Sequence, residues 1–144
     1  MAVNKIDRQV WEILELARKA RTKEEKVKIL KANDHWAVRD ILLGTYSEKI
    51  KWNLPKGKVP YKQSRPESAP TDLKRKNTEF RYFFKGGPGD KMAPMKRENI
   101  FIGLLEGIHP NDAELVVGMI NKTKIEGITK NVAMEAFPDI PEWE

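Results

Sequence analysis

Residues 22–61 read TKEEKVKILKANDHWAVRDILLGTYSEKIKWNLPKGKVPY, and this stretch decides what kind of fold the chain can adopt. Thr22 and Glu25 have the spacing of a capping box, in which the hydroxyl accepts the amide three residues on and the carboxylate reaches back. The helix they start carries a narrow apolar stripe of Val27, Ile29 and Leu30. Asn33 and Asp34 interrupt it, and Asp34 is the expected N-cap of a second helix from about His35 to Thr45. Val38, Ile41, Leu42 and Thr45 fall on one face of that helix. After Ser47 the period is lost. Trp52 to Tyr61 is no regular element, because Pro55 and Pro60 lack amide donors and bias the preceding residues toward extended backbone.

Upstream, Ile6, Val10, Ile13, Leu14 and Ala17 predict an amphipathic helix over 5–20, with Arg18, Lys19 and Arg21 at its negative pole. Downstream, the loop of about 20 residues from Trp52 to Thr71 contains Pro55, Pro60, Pro66 and Pro70, and loops this long are mostly functional or disordered. Thr71 is expected to cap a fourth helix over 71–84, turning Leu73, Phe80, Phe83 and Phe84 inward and leaving Lys74, Arg75 and Lys76 near the loop. Gly86-Gly87-Pro88-Gly89 stops it. A fifth helix runs from Lys96 to Gly107, with Ile100, Phe101, Leu104, Leu105 and Ile108 apolar. Pro110 opens a sixth, whose Ala113, Val116, Val117 and Ile120 face inward. A basic connector with Lys122 and Lys124 leads to Thr129, which caps a last helix of about two turns bearing Val132, Ala133, Ala136 and Phe137. No strand pattern, repeat or heptad run is visible. The expectation is an all-α, single globular domain over 1–144, of about seven short helices with a long Pro-rich basic loop at 52–71.

With 144 residues the chain can bury a real core. It has no cysteine, which excludes a disulfide framework, a thiolate zinc site and a cysteine nucleophile. No apolar run reaches membrane-span length and MAVNKIDRQVW is no signal peptide, so a soluble cytoplasmic protein is expected, in the host cytoplasm if the source is viral. The net charge of +6 is unevenly spread. Residues 1–48 carry 10 basic and 8 acidic groups, residues 49–76 carry 9 and 2, and residues 77–144 carry 8 and 11. The middle fifth therefore holds the positive field. That points to a polyanionic partner or to a solvated lysine-rich loop, and charge alone does not separate them.

No catalytic constellation can be assembled. His35 and His109 stand beside helix starts and read as capping or surface residues. Ser47 and Ser64 lie in no nucleophile elbow. Gly86-Gly87-Pro88-Gly89-Asp90-Lys91 fails as a Walker A loop, since Asp90 precedes the lysine and Met92 follows it. No enzyme activity, cofactor or metal site is expected. Binding reads better. Lys56, Lys58, Lys62 and Arg65 lie on the stiffened arm, where ordering on a phosphate backbone costs less entropy. Backbone amides at Gly57, and at the Thr129-Lys130 helix start, could hold phosphates. Lys74 and Arg75 extend the basic surface. Trp52 and Tyr61 either reach a groove or single strand, or anchor the arm to the core. A second reading is a protein–protein module using the arm or the net acidic C-terminal third, with Glu142-Trp143-Glu144 as an exposed aromatic-acidic tail.

Two stretches resemble the N-terminal, all-helical DNA-binding domain of ATP-dependent DNA ligases, especially the T-even-phage type. The first is Glu12-Ile13-Leu14-Glu15, then Thr22, Lys23 and Lys26, Ile29-Leu30-Lys31, and the Leu42, Thr45, Tyr46, Ser47 segment ahead of a Lys/Pro/Gly-rich loop. The second is Asp112-Ala113-Glu114-Leu115, a turn with Gly127 and Thr129, and Phe137-Pro138-Asp139-Ile140-Pro141. Residues 62–95 match poorly. The resemblance implies grip on a duplex around a nick through backbone contacts in the minor groove, with Gly127, Thr129 and Lys130 as a phosphate contact. A basic residue that the ligases place before that turn has no clean equivalent, and Lys122 or Lys124 would substitute. The Lys-x-Asp-Gly motif that accepts AMP is missing, so ligase activity does not carry over. The chain also resembles small proteins of large tailed phages. Together these imply a non-catalytic binder of double-stranded or nicked DNA in phage replication, repair or recombination, with a replication protein as a further partner.

Overall fold

The computed structural model describes residues 8–57 and 59–143. Among the described residues there are seven α-helices, with short 3₁₀ segments besides: α1 Val10–Lys19, α2 Lys23–Ala32, α3 Trp36–Tyr46, α4 Leu73–Lys76, α5 Pro94–Gly107, α6 Pro110–Ile120 and α7 Lys130–Ala136. The protein is all-α, with no strand among the described residues. α3 is central and packs on α4, α6 and α7, while α1 lies on α2 and α6, and α5 lies on α6. Ile13, Leu30, Ile41, Leu42, Leu105, Met119, Ile128 and Phe137 are fully buried in one shared core. Burial of each such side chain contributes about 1.5–3 kcal/mol.

Helix ends differ from expectation in instructive ways. Of the predicted first helix, residues 5–7 (with Ile6) lie outside the described part. The described helix opens at Val10, where the Gln9 amide donates to Glu12 Oε1 at 2.9 Å. Trp11 N–H is capped from another helix, by Asp112 Oδ1 of α6 at 2.8 Å. At α2, Thr22 Oγ1 accepts Glu25 N–H at 3.2 Å. At α3 the cap is His35, whose Nδ1 accepts Ala37 N–H at 2.9 Å, and not Asp34. Asp34 instead takes Nε and Nη2 of Arg39 at 2.7 and 2.8 Å, a bidentate charged pair stronger than one cap bond. His109 caps α6 in the same way, accepting from Asn111 N–H at 3.0 Å.

The fourth helix is a single α-turn capped by Asp72, not Thr71, and it continues as 3₁₀ over Asn77–Tyr82. Asn77, Phe80 and Phe83 are buried at intervals of three residues, a spacing that three residues per turn places on one side. α5 begins at Pro94, two residues earlier than expected. Of the expected exposed tail, Glu142 is exposed but the aromatic is not: Trp143 is buried, and its Nε1 donates to Phe137 O at 2.8 Å. Glu144 lies outside the described residues.

The proline-rich arm, a run without α-helix from Ser47 to Asp72, is strapped to the helices along its length. Arg97, 7% exposed, donates through Nε to Asn53 O at 2.8 Å and through Nη1 to Gly89 O and Met92 O. Glu106 accepts the Lys62 amide at 2.8 Å, Ser64 Oγ donates to Ile108 O, and Thr71 N–H donates to Gly107 O at 2.8 Å. Trp52 and Tyr61 pack partly buried against the core, so both act as anchors. A strap, unlike a free loop, fixes where its lysines stand.

Candidate phosphate-binding groove

One groove brings together four lysines that have no ion-pair partner among the described residues. It begins with a single antiparallel bridge between Trp52 and Phe84, in which Lys85 N–H donates to Lys51 O at 2.7 Å and Asn53 N–H to Phe83 O at 2.6 Å. The bridge sets Lys51 and Lys85 opposite each other, an arrangement that like charges disfavour. Trp52 fixes its position on α3, donating from Nε1 to Gly44 O at 3.0 Å and meeting Phe80 edge-on at 6.2 Å.

The arm is pinned again at Gly57. Its amide donates to Asn121 Oδ1 at 2.7 Å and its carbonyl accepts Asn121 Nδ2 at 3.2 Å, which places the exposed Lys56 beside the end of α6. The Gly57 amide expected to face a phosphate is therefore occupied by the protein itself.

α6 ends in a Schellman turn. Thr123 N–H donates to Gly118 O at 2.8 Å and Lys122 N–H to Met119 O at 3.1 Å. The left-handed residue of this turn, where glycine is favoured, is Lys122 at φ 57°. Its side chain folds over the groove and Nζ donates to Ser47 O at 2.7 Å.

Lys51, Lys56, Lys85 and Lys122 thus line one hollow of about 480 Å³, over a partly apolar floor that includes Tyr46, Trp52 and Ile120. Glu48 is the one carboxylate among its described lining residues. Burial, and after it the fields of Lys51, Lys56 and Lys130, push the Lys122 amine down to about 8. None of these five lysines has a carboxylate partner in an ion pair among the described residues.

Of the residues singled out from the sequence, the structure brings Lys56 and Lys122 into one hollow, leaves Lys130 outside it but with its field reaching Lys122, and sets the others apart. Lys62 is at the far end of the strap beside Glu106. Lys74 lines a small cavity with Arg8, Asp72 and the buried Asp112, and Arg75 pairs with Asp72 at 3.5 Å. Lys124 lines a different hollow, whose rim also carries Glu15, Arg18, Glu114 and Glu126. Gly127, at φ 83°, presses on α1, where a Cβ would come within 2.8 Å of Arg18 Cβ, and its carbonyl accepts Lys26 Nζ. Thr129 Oγ1 caps α7 by accepting Val132 N–H at 3.2 Å. Lys58 lies outside the described residues. Sequence reasoning missed Lys51 and Lys85 as site residues, since they meet only through a one-residue bridge between distant segments.

Among the described residues no cluster of His, Asp or Glu could hold a metal ion, and no helix is long and apolar enough to cross a membrane. No curated protein and no solved structure matches the chain. The chain belongs to DUF6433, described as a family of unknown function, with a match over residues 13–126. That span holds all four lysines that line the groove and stops short of Lys130.

Proposed function

We propose that this DUF6433 member is a non-catalytic protein that holds the phosphate backbone of double-stranded or nicked DNA in its lysine groove. The observation that carries the reading is the convergence of Lys51, Lys56, Lys85 and Lys122 on one hollow, with the field of Lys130 reaching Lys122 and no carboxylate ion-paired to any of them among the described residues. Opposed, unpaired lysines repel one another, and a row of phosphates is the partner that relieves this. The ligase-domain resemblance supports the same partner and motivates a setting in phage DNA replication, repair or recombination in the host cytoplasm.

Fluorescence anisotropy at low salt with intact, nicked and single-stranded DNA tests the proposal. The triple variant Lys51→Glu/Lys56→Glu/Lys85→Glu is expected to bind at least about tenfold more weakly, with its helical circular dichroism unchanged. Full affinity in that folded variant, or no binding by the unaltered protein at low salt, would reject the groove.

A protein–protein role has one specific observation behind it: Trp36, at the start of α3, is 71% exposed, beside Arg39 at 5.5 Å. A pulldown that survives nuclease and is lost in Trp36→Ala would favour that role.

A further inference from the structure

Among the described lysines, Lys122 is the one held at positive φ, and its amine is fixed in place rather than swinging in solvent. The turn's hydrogen bonds set its Cα, and Ser47 O receives its Nζ at 2.7 Å. Lys51, Lys56 and Lys85 line the same hollow, with Glu48 as the one carboxylate among its described lining residues. A small acyl phosphate entering there meets three cationic groups for its phosphate and one amine beside them for its carbonyl carbon.

Resting on the reading of the groove as a phosphate site, we infer that Lys122 is a modification site: it takes the acyl group from an acyl phosphate ahead of the protein's other lysines, and the neutral amide left behind weakens the groove's hold on polyanions. The amine lone pair forms the N–C bond, and the C–O bond to phosphate breaks. Inorganic phosphate leaves with that electron pair, and the proton on nitrogen passes to solvent.

The balance of effects favours this lysine. With its amine at about 8, roughly a quarter of Lys122 is neutral at pH 7.5, against about one part in a thousand of an ordinary lysine. Nucleophilicity falls with basicity, and a slope of about 0.4–0.5, as thiols show, removes roughly a factor of ten. The gain in population exceeds that loss by about tenfold. Phosphate capture by the neighbouring lysines adds to it.

The full chain is treated with acetyl phosphate at pH 7.5, without nucleic acid, and each lysine is followed by peptide mass spectrometry. Lys122 is expected to be acetylated about tenfold faster than exposed Lys28 and Lys31, with a rate that levels off above pH 8 and falls when pyrophosphate competes. Uniform labelling, or Lys122 among the slowest, overturns the inference. A second arm compares duplex binding by Lys122→Gln and Lys122→Arg, both checked by circular dichroism. The glutamine variant is expected to bind at least about fivefold more weakly and the arginine variant to bind as the unaltered protein does. Equal binding by the glutamine variant overturns the switch. Because the first arm uses no DNA, preferential labelling in a protein that binds none would support the reactive lysine and reject the DNA reading.

Discussion

At the residue scale, two side chains stand where local physics disfavours them. Asp112 is fully buried, its Oδ1 caps α1 through Trp11 N–H, and its Oδ2 has no hydrogen-bond partner among the described residues. Burial pushes its carboxyl up to about 7; the Trp11 hydrogen bond opposes this, Asp72 and Glu12 add to it, and Lys74 counters it. The unfolded chain releases this proton near pH 4. The carboxyl's contribution to stability is therefore full below pH 4 and is lost as pH rises from 4 to 7. Asp112→Asn keeps an acceptor for Trp11 without the charge. Urea unfolding should find it more stable than the unaltered protein at pH 8, by on the order of 2–4 kcal/mol, with the difference shrinking toward pH 4. A constant difference across that range would show that the buried carboxyl does not titrate there. Lys122 is the second case. An L-residue in left-handed backbone costs about 1–2 kcal/mol, which glycine avoids. Lys122→Gly should thus be more stable than Lys122→Ala by about 1 kcal/mol in denaturant unfolding, while both lose DNA affinity equally. Equal stabilities would remove the strain, and intact affinity in both would remove the lysine from the groove.

At the element scale, the groove depends on how closely α3, α6 and the strap approach one another. Gly44 permits it: a Cβ there would fall 2.5 Å from Trp52 Cζ2 and 2.6 Å from Met119 Sδ. Gly44→Ala should cost about 1–3 kcal/mol, as overpacking does, and shift the tryptophan emission as Trp52 leaves its seat. Unchanged unfolding and emission would mean that the indole has room to move aside. Most elements were legible in the sequence. Val38, Ile41 and Leu42 announced the buried face of α3, Pro110 the start of α6, and Thr129 the start of α7. What was not legible needed partners distant in sequence. Asp34 looked like a cap until Arg39 and Asp139 claimed its neighbourhood. The Leu73–Tyr82 segment changed pitch because Asn77 had to meet Asp40, at 2.8 Å, while Phe80 and Phe83 turned inward. The arm's lysines were visible as charge, but which of them share a surface was decided by Asn121, Arg97 and the Trp52–Phe84 bridge.

At the scale of the whole molecule, a net charge of +6 would draw DNA toward any face, so groove binding must be distinguished from general attraction. Screening supplies the distinction. At 0.1 M salt the Debye length is about 10 Å, so charges remote from the contact contribute little, whereas those in it release counterions one for one. If the four groove lysines each neutralise a phosphate, log affinity should fall with log salt at a slope of about −4. Lys51→Glu/Lys85→Glu and Lys28→Glu/Lys31→Glu both lower the net charge from +6 to +2, the first pair in the groove and the second on the exposed face of α2. Salt titrations by anisotropy should find the slope shallower by about 2 in the groove variant and nearly unchanged in the α2 variant. At high salt, where the long-range field is screened away, only the groove variant should still be weaker than the unaltered protein. Equal losses in the two would mean that binding answers to total charge and that the convergence of lysines has no special part in it.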